Sequence, residues 1–574
     1  GYLVAGTGSG LYFYGEAVDS IYTDENVYWL SLGMGQRVLN QFGWAPAPAP
    51  TEGLFRQGVH AETNKFAVPA LFKDPEADIW LWEYLVAGDA GMGTRAFPIA
   101  SDGAAAAGNA TMTVNLLGGT RTGVNPEHHV VVKMNGTQVG EGWSDGMKPF
   151  QVTATFSQAL LQDGGNTVEV VGVLDTGAPY SLVYVDSIDL AYTRYYRALG
   201  NQLELQAASN GVISVRGFTN SQIQVLNVTD PKKPAVVTRT SIDNTGGTWR
   251  VSFKPANANA NAKYLAYTAG AVKTPESVMA VVLTNLTSTR NQGEYLVIAP
   301  ADLMPAAQQL ADYRQAQGYR TKVVDLEWIY DGFNFGIASP AAIRQFLSYA
   351  YRYWRVPPES VVLIGAGSFD YKNYLGNNDC VVPPKMVTTP DGLFETDGYY
   401  GDVAGDDGVP EMVVGRLPAM TAGELADVIG KIITYEAAGA AGWTKQVMLV
   451  ADNPDEAGNF PVDSDNVGQW LPAGYVKQRI YLSEQPIGSA RTAIQNGINN
   501  GALLMNYIGH GAISQFAAEG LLTTSDVPGL NNGTNLPVVL AMTCLSGRYS
   551  LPGFDCLAEE LLMKSGGGAV GVWA

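Results

Sequence analysis

Short apolar runs alternate with helix-length amphipathic stretches from about residue 293 to the end of the chain. The runs are rich in Val, Ile and Leu, which is typical of strands that are buried on both faces of a parallel sheet. They lie at 295–299, 321–325, 360–365, 411–416, 446–452, 502–509, 536–543 and 568–573, and helices are predicted over 304–318, 340–354, 422–436 and 488–500. This alternation predicts an α/β region with mostly parallel sheets, in two subdomains, 289–440 and 441–574.

The preceding residues follow a period of two instead. Apolar and polar residues alternate over 111–116, 167–173 and 185–190, and the run 129–134 leads into Asn135–Gly136, a strong hairpin signal. We therefore predict a jelly-roll-like β-sandwich over 96–197 and a small β-sandwich over 198–288. Residues 1–95 have a mixed, partly β pattern and are assigned to an N-terminal region of their own.

Composition narrows the class of protein. The chain has 574 residues, of which 46% are hydrophobic, so it is a multidomain globular protein rather than a disordered one. Its 35 basic and 54 acidic residues give a net charge of −19, and no Lys/Arg cluster is present, which argues against a nucleic-acid partner. No run of 18 apolar residues predicts a transmembrane segment. An acidic surface suits a secreted or cell-surface protein.

Two of the predicted strands end in residues that carry chemistry. The run 502–509 leads directly into His510, and the run 536–543 leads into Cys544. The carboxyl ends of parallel strands are where α/β sheets place their sites, and a thiol beside an imidazole makes a nucleophile with its general base. Asp452 ends a third strand and is placed to accept the far imidazole N–H. The backbone N–H groups of Gly511 and Cys544 are candidates for an oxyanion hole.

Each of these residues also has a structural interpretation. A free cysteine is often a small buried hydrophobe, a lone histidine is more often structural, and an Asp at a strand end often caps the next helix. The three cysteines, Cys380, Cys544 and Cys556, are an odd number without a CxxC pair, so they form neither a disulfide framework nor a metal pair. The joint placement of Cys544 and His510 favours catalysis.

The same residues resemble a known family. Asn506–Gly511 and Ala541–Gly547 resemble segments of the gingipain-type cysteine peptidases, relatives of the caspases, and so does Leu551–Glu560. Upstream residues at 295–298, 339–344, 363–365 and 414–419 agree, so the resemblance covers about 290–574. It implies a caspase-like catalytic unit that cleaves peptide bonds through a thioester acyl-enzyme, without an organic cofactor. It also implies Cys544 as nucleophile, His510 as base and acid, and Asp452 as third member.

The resemblance carries further expectations. In that family an acidic residue shortly after the third member lines a pocket for a basic side chain. Asp465 is the better match and Asp463 is the alternative, although both aspartates also suit the start of a helix. Family catalytic domains continue beyond the strand that resembles 568–573, so we expect either that the remaining C-terminal portion of a precursor is a separate chain or that the fragment is incomplete.

Two other functions stay open at this point. A sortase-like transpeptidase would form the same acyl-enzyme and pass it to an amine on an exported protein. An adhesin or envelope structural protein would keep the peptidase scaffold without using it, but the presence of both His510 and Cys544 argues against this alternative.

Two features outside the strand ends suggest ligands. The loop 397–408 is rich in Asp and Gly, and Asp402, Asp406 and Asp407, together with Glu411, are candidate ligands of a structural Ca²⁺. An acidic surface loop is the alternative. Jelly-roll modules often bind carbohydrate, so the β modules are candidates for this role, although aromatic residues such as Trp80, Trp82 and Trp143 are expected mostly in the core.

Overall fold

The chain forms two compact units. The computed structural model describes residues 3–5, 11–33, 37–43, 46–48, 52–207, 211–254, 262–281, 284–405, 407–439 and 441–574. One unit comprises Gly1–Ala17, Leu30–Phe72 and Asp78–Val281, and the other comprises Val18–Trp29, Lys73–Ala77 and Val282–Ala574. Within the described residues, no helix combines the length and the apolar character needed to cross a membrane.

The first unit contains a β-sandwich made of antiparallel strands. The described strands of this unit up to residue 195, including short strands outside the sandwich, are β1 (Leu3–Ala5), β2 (Leu11–Phe13), β3 (Leu39–Phe42), β4 (Leu54–Glu62), β5 (Phe66–Ala67), β6 (Trp80–Leu81), β7 (Glu83–Val86), β8 (Thr94–Ala100), β9 (Asn109–Gly118), β10 (His128–Met134), β11 (Thr137–Ser144), β12 (Pro149–Ser157), β13 (Gly165–Gly172) and β14 (Leu182–Tyr195). One sheet has the order β11-β10-β13-β8 and the other β12-β9-β14-β4, with β7 also on β14. Alternate side chains from both sheets, such as Met112 and Val170, fill the core, as the period of two predicts.

The boundary predicted at residue 95 divides this sandwich. β4 lies in the predicted N-terminal region, yet it pairs with β14 along its whole length, from Leu54 opposite Tyr195 to Glu62 opposite Ser187. The sequence pattern identifies a strand but not its pairing partner when that partner lies far along the chain. This explains why the predicted domain boundary differs from the boundary of the sandwich.

A smaller β-sandwich follows in the same unit. Its strands are β15 (Gln202–Gln206), β16 (Ile213–Phe218), β17 (Gln224–Asn227), β18 (Ala235–Thr238), β19 (Ser241–Thr245), β20 (Thr248–Phe253) and β21 (Lys263–Tyr267). They form the sheets β15-β21-β17-β18-β3 and β16-β20-β19, so β3 of the predicted N-terminal region belongs here. Phe218, Phe253 and Tyr264 are buried in its core.

The second unit begins its α/β architecture with a four-stranded parallel sheet. Its elements are β22 (Tyr295–Ala299), α1 (Met304–Ala316), β23 (Thr321–Asp325), α2 (Leu326–Asn334), α3 (Pro340–Tyr353), β24 (Ser360–Ile364), β25 (Lys385–Thr389), β26 (Gly392–Thr396), α4 (Gly398–Gly401), β27 (Val413–Leu417) and α5 (Ala422–Ala437). The strand order is β23-β22-β24-β27, and β25 and β26 form a separate hairpin. Local signals set the helix starts: Ser339 caps α3, and Thr421 and Glu424 form a capping box on α5.

The second α/β subdomain contains the two strands that are followed by His510 and Cys544. Its elements are β28 (Gln446–Ala451), α6 (Phe460–Gln469), β29 (Val476–Tyr481), α7 (Ile487–Asn500), β30 (Leu504–Ile508), β31 (Gly511–Ala512), β32 (Gln515–Phe516), β33 (Leu522–Thr523), β34 (Val538–Met542), α8 (Leu557–Met563) and β35 (Gly571–Trp573). The main sheet has the order β29-β28-β30-β34-β35, and every pair is parallel. Apolar clusters cover both of its faces, so the expected architecture of antiparallel β modules followed by parallel α/β sheets is confirmed.

Candidate active site

His510 and Cys544 follow neighbouring strands at the same edge of the sheet. β30 and β34 pair in parallel up to Ile508 opposite Met542, and each of the two residues lies two positions beyond this last pair. Gly511 confirms how closely the two segments approach, because a Cβ placed there would lie 2.4 Å from Thr543 Oγ1 and 2.8 Å from the carbonyl oxygen of Cys544. Both His510 and Cys544 are exposed to solvent. The sheet therefore brings an accessible thiol and an accessible imidazole to one edge.

The ring of His510 is held by Asp455. Nε2 of the ring lies 2.7 Å from Asp455 Oδ2, and the ring of Phe460 packs edge-on at 5.4 Å between centroids. The N–H of Ala457 and the contact with His510 lower the pKa of the Asp455 carboxyl. Because an ionised carboxylate only accepts hydrogen bonds, Nε2 carries the proton in this contact. Nδ1 is then left as a lone-pair acceptor, which is the form that a general base requires.

Asp452 occupies a different place from the one that the sequence predicts. Its buried carboxylate accepts from the backbone N–H of His510 at 3.2 Å and from that of Asn453 at 2.8 Å, and burial raises its pKa. The predicted contact between Asp452 and the imidazole is therefore made by Asp455 instead. Asp452 fixes the backbone of the turn. A Cβ on Gly509, whose φ is 157°, would lie 2.4 Å from the Asp452 Cβ.

The carbonyl group of His510 is also fixed. The Tyr507 hydroxyl donates to it at 2.5 Å, and the Tyr507 ring is fully buried against Phe516 at 4.2 Å between centroids. Burial raises the pKa of Tyr507, so its hydroxyl stays protonated and remains a donor. The turn that carries the imidazole is thus anchored at its N–H by Asp452 and at its carbonyl by Tyr507.

Cys544 begins a tight turn. The next residue, Leu545, has a left-handed φ of 61°, and the N–H of Ser546 donates back to the carbonyl of Cys544 at 2.8 Å. A non-glycine residue in this region is strained, and such strain is common at functional sites. In the part of the chain that the structure describes, no hydrogen bond joins the Cys544 thiol to the His510 ring. The thiol is accessible to solvent.

The backbone N–H groups of Cys544 and Gly511 are the predicted donors of the oxyanion hole. Among the described residues no acceptor takes the N–H of Cys544. Gly511 occupies a non-hydrogen-bonded position of the β31–β32 hairpin, because the N–H of Ala517 donates to the carbonyl of His510 at the adjacent pair. The predicted oxyanion hole from Gly511 and Cys544 stays a prediction, and this geometry is compatible with it.

The other two cysteines have a different environment. Burial raises the pKa of the Cys380 thiol to about 12 and also raises that of Cys556. All three thiols are free. Cys544 is the exposed one, so it is the cysteine suited to act as a nucleophile.

The two aspartates predicted for a basic pocket differ in their contacts. Asp465 accepts from the Tyr481 hydroxyl at 2.8 Å and pairs with Arg479 at 3.0 Å, so its carboxylate already has a cation. Asp463 is exposed in the first turn of α6, and its Oδ2 lies 4.0 Å from the position of a Cβ on Gly458. Gly458 bridges to Asp455, the residue that holds the imidazole. Asp463 therefore lies near the Asp455–Gly458 loop, whose Asp455 holds the imidazole.

The proposed calcium ligands bind their own loop. Glu411 accepts from the N–H groups of Val403 and Ala404, and Asp402 accepts from the N–H of Gly408. Asp407 accepts from the N–H of Val409, and Asp406 lies outside the described residues. Among the residues described, no group of three or more His, Cys, Asp or Glu is arranged to hold a metal ion. Calcium binding stays a prediction.

The tryptophans suggested for carbohydrate binding are mostly core residues. Trp80 and Trp82 are 5% and 6% exposed, whereas Trp143 is half exposed and stacks on His129 at 4.4 Å between centroids. Carbohydrate binding by the β modules stays a prediction.

Comparison with known proteins identifies the family. The profile of peptidase family C25 matches residues 288–574, which is half of the chain. The chain belongs to peptidase family C25. Gingipain R2 of Porphyromonas gingivalis is 27% identical over 303 residues, which are 50% of this chain and 38% of that protein. Lys-gingipain W83 of the same organism is 27% identical over 157 residues, which are 27% of this chain and 9% of that protein.

A solved structure extends the likeness in fold. The dimeric latent PorU of Porphyromonas gingivalis superposes with a TM-score of 0.51 at 16% identity, over 70% of this chain and 40% of that one. This C25 chain spans well under two thirds of the length of these curated relatives. The gingipain-type resemblance predicted from the sequence is confirmed, and so is the fold class.

Proposed function

We propose that this chain is a cysteine endopeptidase, with Cys544 as the nucleophile and His510 as the general base and acid. The observation that carries the proposal is the meeting of an exposed thiol and an Asp455-held imidazole at adjacent strand ends of one parallel sheet. Family membership supports the reaction class.

The reaction follows from these groups. Nδ1 of His510 accepts the thiol proton, and the sulfur attacks the carbonyl carbon of the peptide. In this proposal the N–H groups of Gly511 and Cys544 donate to the oxygen on which negative charge develops. The imidazolium then gives its proton to the leaving amine, and a thioester acyl-enzyme remains. Water that is deprotonated by the same imidazole hydrolyses the thioester and restores the thiol.

The test of this function is hydrolysis of protein and peptide substrates by the full chain. We expect Cys544→Ala to abolish turnover and Cys380→Ala to retain it, because Cys380 is only partly accessible and the pKa of its thiol is raised to about 12. Turnover that survives Cys544→Ala would contradict the proposal.

The preference for a basic residue before the cleaved bond is a finer part of the proposal. Asp463 is the better candidate for this role, because Arg479 and Tyr481 already engage Asp465. We expect Asp463→Asn to lower kcat/KM for Arg and Lys substrates but not for Ala substrates, and Asp465→Asn is the matched control. Equal rates on Arg, Lys and Ala substrates in the unaltered chain would refute the preference.

A transpeptidase remains the second candidate, because the same thioester passes to an amine whenever the amine outcompetes water. Adding an amine acceptor to the hydrolysis assay separates the two functions: aminolysis products that dominate at millimolar acceptor would favour transpeptidation. We further propose that the protein is secreted or at the cell surface, supported by its acidic composition and its kinship with gingipains.

A further inference from the structure

The segment that follows Cys544 is attached to the other α/β subdomain. The Tyr549 hydroxyl donates to Asp397 Oδ1 at 2.8 Å, and the Ser550 hydroxyl donates to Glu395 Oε2 at 2.8 Å. The carbonyl of Ser550 accepts from the N–H of Phe369 at 2.9 Å, and the N–H of Gly553 donates to Asp379 at 2.6 Å. The segment after Cys544 is held by its own subdomain, where the N–H of Ala558 donates to the carbonyl of Ser546 at 3.0 Å. It is also held by the first subdomain through Tyr549, Ser550 and Gly553.

Arg416 lies at the centre of this attachment. Its Nε and Nη2 donate to the two oxygens of Asp397, each at 2.8 Å, and its Nη1 donates to the carbonyls of Gly365 and Val382. The side chain is 7% exposed. A bidentate Arg–carboxylate pair has one preferred geometry, so the oxygen that receives the Tyr549 hydroxyl is fixed in place.

Tyr549 contacts both members of the Arg416–Asp397 pair. Its ring lies 4.8 Å from the Arg416 guanidinium, and its hydroxyl reaches Asp397. Burial raises the pKa of Tyr549, so the hydroxyl keeps its proton and continues to donate. A Cβ on Gly367 would lie 2.9 Å from the Tyr549 ring and 3.0 Å from Arg416 Nη1, so no side chain fits between them.

Cys544 and Tyr549 are connected by a short segment of the chain. Leu545 has a strained left-handed φ, and the N–H of Ser546 donates to the carbonyl of Cys544. Between this turn and Tyr549 the N–H of Arg548 donates to the carbonyl of Leu545 at 3.1 Å. Four residues lie between Cys544 and Tyr549, so a shift of the tyrosine is transmitted to the thiol through a short segment that includes the strained Leu545. Buried ion pairs often contribute little net stability, and a role in fixing one geometry is the better explanation for this one.

We infer that the Arg416–Asp397 pair and Tyr549 position the nucleophile, so that the first α/β subdomain holds the catalytic thiol in register with His510. This inference rests on the proposed function. Arg416, Asp397 and Tyr549 are positioning residues, because they act on the thiol through the turn rather than on the substrate.

The test compares two Tyr→Phe variants of the full chain. Tyr549→Phe removes only the hydroxyl contact with Asp397. Tyr313→Phe is the matched control, because the Tyr313 hydroxyl also donates to a carboxylate, Glu436, that holds an arginine in bidentate fashion, on helices α1 and α5. We expect Tyr549→Phe to lower kcat by about 10–100-fold with KM nearly unchanged, since small misplacements of a catalytic group have effects of this size. Tyr313→Phe is expected to leave both constants unchanged.

A second readout does not require turnover. Labelling by a peptidyl chloromethyl ketone requires a thiolate that is aligned with the substrate cleft, whereas labelling by iodoacetamide requires only an accessible thiolate. The ratio of the two rates therefore reports the alignment of the sulfur. We expect Tyr549→Phe to lower the ratio of these two rates, and Tyr313→Phe to preserve it. Ser550→Ala is expected to lower the ratio as well. If Tyr549→Phe does not fold, Ser550→Ala replaces it as the test variant.

The outcomes separate the two proposals. An unaltered chain that neither hydrolyses peptides nor favours the ketone refutes the proposed function before any variant is compared. An active chain in which Tyr549→Phe and Ser550→Ala match Tyr313→Phe in kcat and in the labelling ratio overturns the positioning role.

Discussion

At the scale of residues, the candidate site depends on the two carboxylates that follow β28. Asp452 is buried and binds the backbone N–H of His510, whereas Asp455 is partly exposed and binds the ring. The sequence places Asp452 at the strand end, and this position is what makes it the obvious partner. The conformation of the loop that turns Asp455 back onto the imidazole depends on contacts such as the Asp455–Gly458 bridge, which no strand pattern predicts.

This division of roles gives a first prediction. Asp455→Asn removes the charge that orients the imidazole and stabilises its protonated form, so we expect kcat to fall by about 100-fold or more with a small change in stability. Steady-state kinetics and thermal unfolding measure the two effects. Glu456→Gln, a neutralised carboxylate next to it in the same exposed loop, is the control and should behave like the unaltered chain. Equal activity of the two variants would refute the role of Asp455.

At the scale of elements, the start of α8 contains a buried acid. The Glu559 carboxylate accepts from the backbone N–H of Cys556 at 3.0 Å and completes a capping box. Burial raises its pKa from 4.5 to about 7. Between these values the unfolded chain releases the proton while the folded chain keeps it, so the free energy of unfolding falls as pH rises.

Glu559→Gln should remove this pH dependence, because the amide imitates the protonated acid. We compare the free energy of unfolding of the variant with that of the unaltered chain at each pH. The difference should shift in favour of the variant by about 3 kcal/mol between pH 4.5 and pH 8, a value that follows from the size of the pKa shift. Urea unfolding at several pH values measures it. Glu424→Gln, which alters the exposed capping box of α5, is the control. A difference between Glu559→Gln and the unaltered chain that stays constant with pH would contradict this prediction.

The loop around Asp402 and Asp407 supplies a further prediction at this scale. If it binds Ca²⁺, chelation should lower the midpoint of thermal unfolding and added Ca²⁺ should restore it. Melting curves at several EDTA concentrations test this. An unchanged midpoint would contradict calcium binding, and it would agree with the loop's internal hydrogen bonds from Gly408 and Val409.

At the scale of the whole molecule, the sequence predicts what depends on local pattern. The hydrophobic periodicity and the turn residues between the elements predict the parallel α/β strands and the antiparallel β modules. They also predict the strand ends that carry His510 and Cys544. The pairing of strands that lie far apart in the sequence could not be predicted in this way. β4 joins β14, and β3 joins β18, across many intervening residues. The segments Val18–Trp29 and Lys73–Ala77 likewise belong with the α/β unit rather than with their sequence neighbours.

The contacts between the two α/β subdomains were equally inaccessible from the sequence. Arg416 ends a predicted strand and Tyr549 lies in a loop, and nothing in their spacing indicates that Asp397 joins them. Such contacts depend on how the two subdomains pack against each other, which the sequence pattern does not reveal. They are also the contacts on which we expect the geometry of the nucleophile to depend.

Covalent labelling of the thiol tests the central claim most directly. The full chain, its His510→Ala variant and its Cys544→Ala variant would be treated with a peptidyl chloromethyl ketone, and the modified residue located by mass spectrometry. We expect one adduct, on Cys544, that forms at least about 100-fold more slowly in His510→Ala. Labelling of Cys544 at the same rate with and without the imidazole, or no adduct at Cys544, would contradict the assignment of a cysteine peptidase site.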